Sequence, residues 1–450
     1  MFSKEKLIKL APLQLQNLAI TLFNTYQYKV RRGGDYSIFK DFYLKADKLT
    51  KTELEKAIEL KRQSFFKYIK ENSVWYKDYN FSEFEKLPLL EKDDLIKNLD
   101  LIKTVNEKEG IVSHTGGTTG ASMKVIYSKS NMQERFAILD SFREKHGYVL
   151  GKKTAWFSGK NLITNRDIRN GNCSHYDYIN KIRFYSTFHI NLDNFNVYWR
   201  SLNNFKPEFI VGFPSSLYEI CEIADSMGLK SDFKVKIFFP TAETVLPIHR
   251  NIIEKVLGCK VIDQYASSEG APHILECEAG RLHIHPLTGI FEVVDENMKN
   301  SNQGELLVTS FTTKGTPLVR YRIGDYIKLP QSDYTCDCGS IFPIVESIEG
   351  RATDYILSPT QGKVNLGNLS NSTKNVNGII KFQIIQKTAF NVQILVEITS
   401  QFDEVEQNKF IKALSERLGN EMIVAIEIVD NIPKESSGKF RIVKNLMSNN

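Results

Sequence analysis

Between residues 208 and 265 the chain alternates short apolar runs with helical stretches, and few folds accommodate that order. "EFIVGF" (208–213), "KVKIFFP" (234–240) and "KVIDQY" (260–265) are the apolar runs. "PSSLYEICEIADSMGLK" opens on Pro214 and ends near Gly228, and "LPIHRNIIEKVLG" has Gly258 just past its end. Proline at the first helical position and glycine beyond the last are ordinary helix punctuation. Strand, helix, strand, helix, strand predicts a parallel sheet with right-handed crossovers. Ligands of such sheets gather beyond the carboxyl ends of the strands. Those ends carry Gly212-Phe213-Pro214-Ser215, Thr241-Ala242-Glu243-Thr244 and Tyr265-Ala266-Ser267-Ser268-Glu269-Gly270. Small, hydroxyl and acidic residues recur at all three. A plain turn has no need of a carboxylate, so the coincidence points to a pocket.

The remaining chain is read around that sheet. Residues 1–100 mix charged and apolar residues at helical spacing, as in "KADKLTKTELEKAIELKRQSFFKYIKEN". "GELLVTSF" and "VRYRIGDYIKL" are expected to be antiparallel strands, with Gly324-Asp325 as a turn pair. After residue 353, a hairpin around 388–391, a helix in "DEVEQNKFIKALSERLG" and a strand in "MIVAIEIVDNIP" form their own small sheet-and-helix domain. The expected division is 1–100, 101–353 and 354–450.

Charge and composition exclude several classes. The 59 basic and 53 acidic side chains leave a net charge of +6 on 450 residues, with no basic run of the kind that binds nucleic acid. No stretch approaches the roughly 20 apolar residues that span a bilayer. "MFSKEKLIKLAPLQLQNLAITLF" reads as an amphipathic first helix rather than a signal peptide, packed on the protein or lying on a membrane surface. A cytoplasmic protein follows, with attachment to the inner membrane face as the alternative. Its six cysteines are then expected to be reduced.

"SHTGGTTGASMK" (113–124) is rich in glycine and hydroxyls. Glycines let backbone N–H groups converge on phosphate oxygens, threonine hydroxyls add donors, and Lys124 adds charge. The kinase-type pattern G-x-x-x-x-G-K-[ST] is not present. Instead, Thr115-Gly116-Gly117-Thr118-Thr119-Gly120 resembles the T-S-G-T-T-G loop of adenylate-forming enzymes, the superfamily of acyl-CoA synthetases, adenylation domains and luciferases. Further stretches agree in order. "TAET" lies where that family's adenine-stacking segment falls. "YASSE" (265–269) resembles its Y-G-x-T-E element, "LVRYRIGDY" (318–326) its Y-R-T-G-D element, and "GRATDYI" (350–356) its G-R-x-D-D hinge. "IPKESSGKFRI" (432–442) resembles its P-x-x-x-x-G-K-x-x-R element. The short chain, helical start and "YASSEGAP" look most like the phenylacetate–CoA ligase branch, especially its relatives in capsule and surface-polysaccharide gene sets.

The resemblance implies an α/β fold. A large N-terminal domain would hold parallel βαβ sheets and a small barrel-like β region, with a small mobile α+β C-terminal domain beside it. It implies that Thr115, Gly116, Gly117, Thr118, Thr119 and Gly120 hold the β- and γ-phosphates of ATP, with Lys124 nearby. Glu269 would bind Mg²⁺, and Asp325 would accept both ribose hydroxyls. Arg351 would contact the ribose or α-phosphate. Thr241, Ala242, Glu243, Tyr265, Ala266, Ser267 and Ser268 would surround the nucleotide. Lys439 would neutralise charge in the displacement, and Asp354 would be the hinge of the tail domain. The sequence departs from the pattern at Gly116, Ala266 and Thr353, and its loop runs one residue longer before Lys124.

The reaction implied joins a small-molecule carboxylate to AMP with release of pyrophosphate. The acyl group then passes to coenzyme A or to an amine or hydroxyl acceptor, in a setting that includes surface-polysaccharide biosynthesis. Phe213, Tyr218 and Phe239 flank the strand ends and suit an aryl or short apolar acid, with His114 beside the loop. The other reading is a catalytically silent nucleotide-binding subunit of a polysaccharide-assembly complex. Cys336 and Cys338, with Cys277 and His283, supply the three thiols and one imidazole of a structural zinc site, reduced thiols being the alternative and His273 and His285 substitute ligands. Whether the chain forms a homodimer is left open.

Overall fold

The computed structural model describes residues 11–114, 123–159, 163–332, 335–351, 354–373, 375–435 and 437–447. The phosphate loop expected at 115–120 lies outside them, as does Thr353. The chain forms two compact units, each assembled from separate segments.

The first unit comprises Met1–Asn24, Leu150–Asp263 and Glu349–Asn450. It starts with part of helix α1 (Leu13–Arg31). Its main sheet has six strands: β1 (Thr154–Ser158), β2 (Ser174–Asp177), β3 (Ile182–Ser186), β4 (Phe209–Gly212), β5 (Ile237–Pro240) and β6 (Lys260–Val261). Their order is β2-β3-β1-β4-β5-β6, parallel throughout except for the antiparallel edge strand β2. The crossovers include α2 (Phe195–Phe205), α3 (Pro214–Ser226) and α4 (Pro247–Leu257), so the strand–helix alternation is as expected. The third apolar run divides. Its first residues form β6, whereas Gln264–Ala266 pairs antiparallel with His273–Glu276 in the second unit. A strand covered on both faces must be apolar throughout, and Asp263-Gln264 interrupts this one.

β4 and β5 are buried at every residue. α3 is also enclosed, packing on α4 and on β7 (Ile379–Thr388) of the second sheet. That sheet continues with β8 (Asn391–Ile398), β9 (Ile423–Ile428) and β10 (Val443–Asn445), in the order β9-β8-β7-β10. The β7–β8 pair is the expected hairpin. Helix α5 (Glu404–Leu418) buries Phe410, Leu414 and Leu418 in the same core.

α4 carries a pH sensitivity. His249 is buried against the Tyr218 ring, 5.0 Å between centroids, and its Nδ1 accepts the Leu246 N–H at 3.3 Å. Burial pushes its pKa down to about 3. The unfolded chain therefore takes up a proton near pH 6.5 that the folded chain refuses. The stability this residue contributes is full above pH 6.5 and falls by about 2 kcal/mol on acidification to pH 5. Urea titrations at both pH values should show that slope in wild type and a shallower one in His249→Phe.

The second unit comprises Thr25–Val149 and Gln264–Ile348. Helices Tyr36–Lys45 and Lys51–Asn72 lie in the stretch read as helical, and Lys129–Lys145 follows beyond it. Leu282–Ile284 extends the Gln264–Ala266 and His273–Glu276 sheet, while Gly289–Val294, Gln303–Ser310 and Tyr321–Lys328 run antiparallel in another. This is the barrel-like β region as open sheets; no closed barrel occurs among the described residues. Gly324-Asp325 does not reverse the chain. Tyr321–Lys328 is one strand with a bulge, where Leu307 faces Arg322 and Glu305 faces Tyr326. Gly324 supplies the positive φ of +80° that the bulge needs, and the extra residues re-aim Asp325.

Candidate functional site

In the first unit, one loop crosses the carboxyl ends of four parallel strands. Lys434 Nζ donates to Thr187 O beyond β3 at 2.7 Å and to Ser216 Oγ in the first turn of α3 at 3.2 Å. Phe440 N–H donates to Glu243 Oε1 beyond β5 at 2.8 Å, and Glu243 Oε2 accepts the Ser215 N–H beyond β4 at 3.1 Å. Burial raises the Glu243 pKa. Beyond β1, a Cβ on Gly159 would lie 1.7 Å from Ser437 O, so the loop can approach there only because the residue is glycine. Lys439 sits inside this loop, which is closed by Gly438 N–H to Glu435 O at 2.8 Å and Glu435 N–H to Lys439 O at 2.9 Å.

The strand ends hold the other expected residues of this unit. Thr241 N–H bonds Gly212 O at 2.9 Å. Ala242 has φ +66°, a left-handed conformation uncommon for a residue with a side chain. Phe213 precedes α3 and is buried. Tyr218 donates to Ile379 O, and Phe239 is buried in β5 with its ring stacked on Phe209. Asp354 Oδ1 accepts from Arg441 Nε at 3.2 Å and Nη2 at 3.1 Å, and burial raises its pKa. Arg351, exposed, accepts the Asp354 N–H on its carbonyl at 2.9 Å.

Behind the loop is a charge network that the sequence reading missed. Glu219, on α3, pairs with Lys381 of β7 at 2.7 Å and with Lys434 at 3.1 Å. Lys381 also pairs with Glu397 of β8 at 3.1 Å. All four side chains are at most 7% exposed. Burial opposes the charge on Lys381, yet Glu219 and Glu397 together hold its pKa above the ordinary value; burial lowers that of Lys434. The available signal was a glutamate and a lysine inside "SSLYEICEI" and "IIKFQII", where a lone charge is costly.

The second unit holds the other expected nucleotide residues. Tyr265 donates its hydroxyl to the bulged Asp325. The turn after it is fixed by its backbone carbonyls: Ser267 O accepts from Arg135 Nη2 at 2.6 Å, Glu269 O from Thr313 at 2.6 Å and Gly270 O from Thr312 at 2.6 Å. Tyr127 donates to Ser268 O. Ser267 Oγ donates to Glu269 Oε2 at 2.7 Å, leaving that half-buried carboxylate further acceptor sites. Ala266 faces His273 across the strand pair. His114 and Lys124 face each other at the neck of the hairpin Ile111–His114 with Lys124–Tyr127. Lys124 Nζ is 3.0 Å from Glu107.

Cys277, His283, Cys336 and Cys338 present four ligand atoms within 4.8 Å of one another. Cys277 and Cys336 sulfurs are 3.7 Å apart, and Cys338 Sγ is 3.5 Å from His283 Nε2. Tetrahedral zinc–thiolate bonds of about 2.3 Å require sulfurs about 3.7 Å apart. His283 Nδ1 lies 2.9 Å from Phe342 O, an arrangement that turns Nε2 toward the thiols. The four residues fit a tetrahedral metal.

Comparison with known proteins places this geometry in a lineage. Residues 356–446 match the family described as the CapK C-terminal domain. The chain is 31% identical to protein CapK of Staphylococcus aureus over 97% of its own length and 98% of that protein's. It is 23% identical to indoleacetate–lysine synthetase of Pseudomonas savastanoi, over 56% of this chain and 62% of that one. Its fold resembles 2-hydroxyisobutyryl-CoA ligase in a postadenylation state, with TM-score 0.70 and 17% identity over 89% of this chain and 91% of that one.

Proposed function

The chain belongs to the adenylate-forming superfamily of AMP-forming ligases, in the phenylacetate–CoA ligase-like branch that includes CapK, and from that premise we propose that it activates a small carboxylic acid with ATP and passes the acyl group to coenzyme A or to an amine or hydroxyl. The observation that carries the proposal is the loop at 434–440, which brings Lys439 to the strand ends where parallel sheets bind ligands. A carboxylate oxygen attacks the α-phosphorus, and pyrophosphate leaves. The acceptor's sulfur, nitrogen or oxygen then attacks the acyl carbon, its proton is released to solvent, and AMP leaves. Activation is needed because a free carboxylate is a poor electrophile.

In this reading Lys439 neutralises charge as it builds around the α-phosphorus. Asp325 accepts the ribose hydroxyls, Tyr265 borders the adenine, and Arg351 contacts the ribose or α-phosphate. Residues 115–120 hold the outer phosphates. Glu269 would hold Mg²⁺, which screens phosphate charge when bound. Asp354, paired with Arg441, is the pivot of the C-terminal segment. The resemblance of the sequence motifs to relatives in capsule and surface-polysaccharide gene sets favours a surface-polysaccharide setting, with an acceptor amine or hydroxyl on a sugar.

The test is pyrophosphate release across a panel of aryl and short aliphatic acids. Acid-dependent release supports the ligase; none with any acid leaves the silent nucleotide-binding subunit. Asp325→Ala should raise the KM for ATP about 10- to 100-fold, the loss of one or two charge-assisted hydrogen bonds, while kcat changes less. An unchanged KM would remove Asp325 from the ribose.

We also propose that Cys277, His283, Cys336 and Cys338 hold a structural zinc ion that ties the segment before Ile344–Val345 to the sheet. Elemental analysis should find about one zinc per chain, lost in Cys338→Ser with a lower unfolding midpoint. Zinc-free wild type whose midpoint is indifferent to chelator would overturn it.

A further inference from the structure

α1 lies against its unit by its polar side. Within it Gln16, Asn17, Thr21 and Asn24 are buried. Asn17 Oδ1 accepts the Tyr176 N–H at 3.0 Å, and Thr21 Oγ1 accepts the Tyr178 N–H at 3.1 Å. Asn24 Nδ2 donates to Asp177 Oδ2 at 3.0 Å. These side chains cap the open edge of β2 where a further strand would otherwise pair. At 100° per residue, Leu15, Leu18 and Leu22 fall on the opposite side of the helix. They are 57%, 49% and 62% exposed, and Phe23 beside them is 56% exposed. Tyr178 and Ile179, in the turn next to Thr21, are exposed as well. A helix that spends its polar face on hydrogen bonds and offers leucines outward is the reverse of a surface helix of a free-standing globular domain.

The charge around this face selects its partner. From Lys6 to Gly34 the sequence has no acidic residue; Lys29 is exposed, Arg31 lies over the Phe136 ring, Arg32 is paired with Asp140 at 2.6 Å, and Lys6 and Lys9 add charge ahead of the described residues. A second copy of the chain seated on the same face would bring two such basic segments together and repel itself. An anionic bilayer offers apolar depth for the leucines and negative headgroups for the lysines. We propose that the Leu15–Leu18–Leu22–Phe23 face of α1, with Tyr178 and Ile179, seats the protein on anionic phospholipid. No described helix is long and apolar enough to cross a membrane; the attachment proposed is peripheral and reversible.

The proposal does not rest on adenylation, because vesicle binding is read without ATP. Full-length protein is sedimented with vesicles of phosphatidylcholine and phosphatidylglycerol at three to one, and with phosphatidylcholine alone. Binding to the anionic vesicles should exceed that to neutral ones about tenfold and weaken in high salt. Leu18→Glu/Leu22→Glu should lower it about tenfold or more. Both side chains point outward, so the polar anchorage of α1 and the unfolding midpoint should be unchanged. Failure of wild type to sediment with anionic vesicles overturns the proposal, as does equal sedimentation of the variant. A wild-type dimer that the same substitutions dissociate, with no vesicle binding, assigns the face to a second copy and equally overturns it.

Discussion

Lys439→Ala should lower carboxylate-dependent pyrophosphate release by about 10²–10³-fold, the usual cost of deleting one preorganised group that meets charge developing in a transition state. The fold should not suffer. The loop around residue 439 is held by Gly438 N–H to Glu435 O, Glu435 N–H to Lys439 O, Phe440 N–H to the Glu243 carboxylate and the Lys434 side chain. Truncation at Cβ leaves those bonds in place, so the unfolding midpoint should move little. The binding constant for ATP should also change far less than the rate, because a group used in the displacement adds little to ground-state affinity. Single-turnover formation of acyl-adenylate, with ATP binding measured separately, checks both halves. A variant that binds and reacts like wild type would remove Lys439 from the chemistry and leave its loop a purely structural brace.

The parts of this molecule legible from sequence are those written in local code. β4, β5, α3 and α4 announce themselves because two apolar runs alternate with helices that open on Pro214 and Pro247 and end near Gly228 and Gly258. The β7–β8 hairpin and α5 are equally local. Elsewhere the decision depends on distant residues. Composition identifies the apolar side of α1, but only the Tyr176 and Tyr178 N–H groups at the sheet edge, which bond Asn17 and Thr21, determine that the other side is buried. "IGDY" reads as a turn because Gly-Asp usually is one; the pairing of Gln303–Ser310 makes it a bulge. Cys277, His283, Cys336 and Cys338 could be grouped by residue type, whereas their separations come from the fold. Glu219, Lys381, Glu397 and Lys434 lie on four separate elements, α3, β7, β8 and the 434–440 loop, and no local spacing links them.

That network leads to the second large effect. Glu219→Ala should destabilise the first unit by about 3–5 kcal/mol, the cost of stripping one partner from buried charges. Lys381 would then keep Glu397, while Lys434 would lose the carboxylate it is paired with, at sites where Lys381 is 3% and Lys434 7% exposed. The unfolding midpoint should fall by roughly 6–20 °C for a unit of this size. The deficit should also depend on pH. Burial already depresses the Lys434 pKa, and loss of Glu219 depresses it further. A lysine whose folded pKa lies below its unfolded value leaves the protein least stable where the unfolded chain is protonated, so the deficit is largest near neutrality and shrinks as the pH rises toward about 10. Removing the lysine together with the glutamate, as Glu219→Met/Lys434→Met, leaves Lys381 and Glu397 as a balanced pair and should recover most of the loss. A single-variant loss below about 1 kcal/mol, flat with pH, is what solvent-screened pairs give, and it would mean that water reaches the space between α3 and β7.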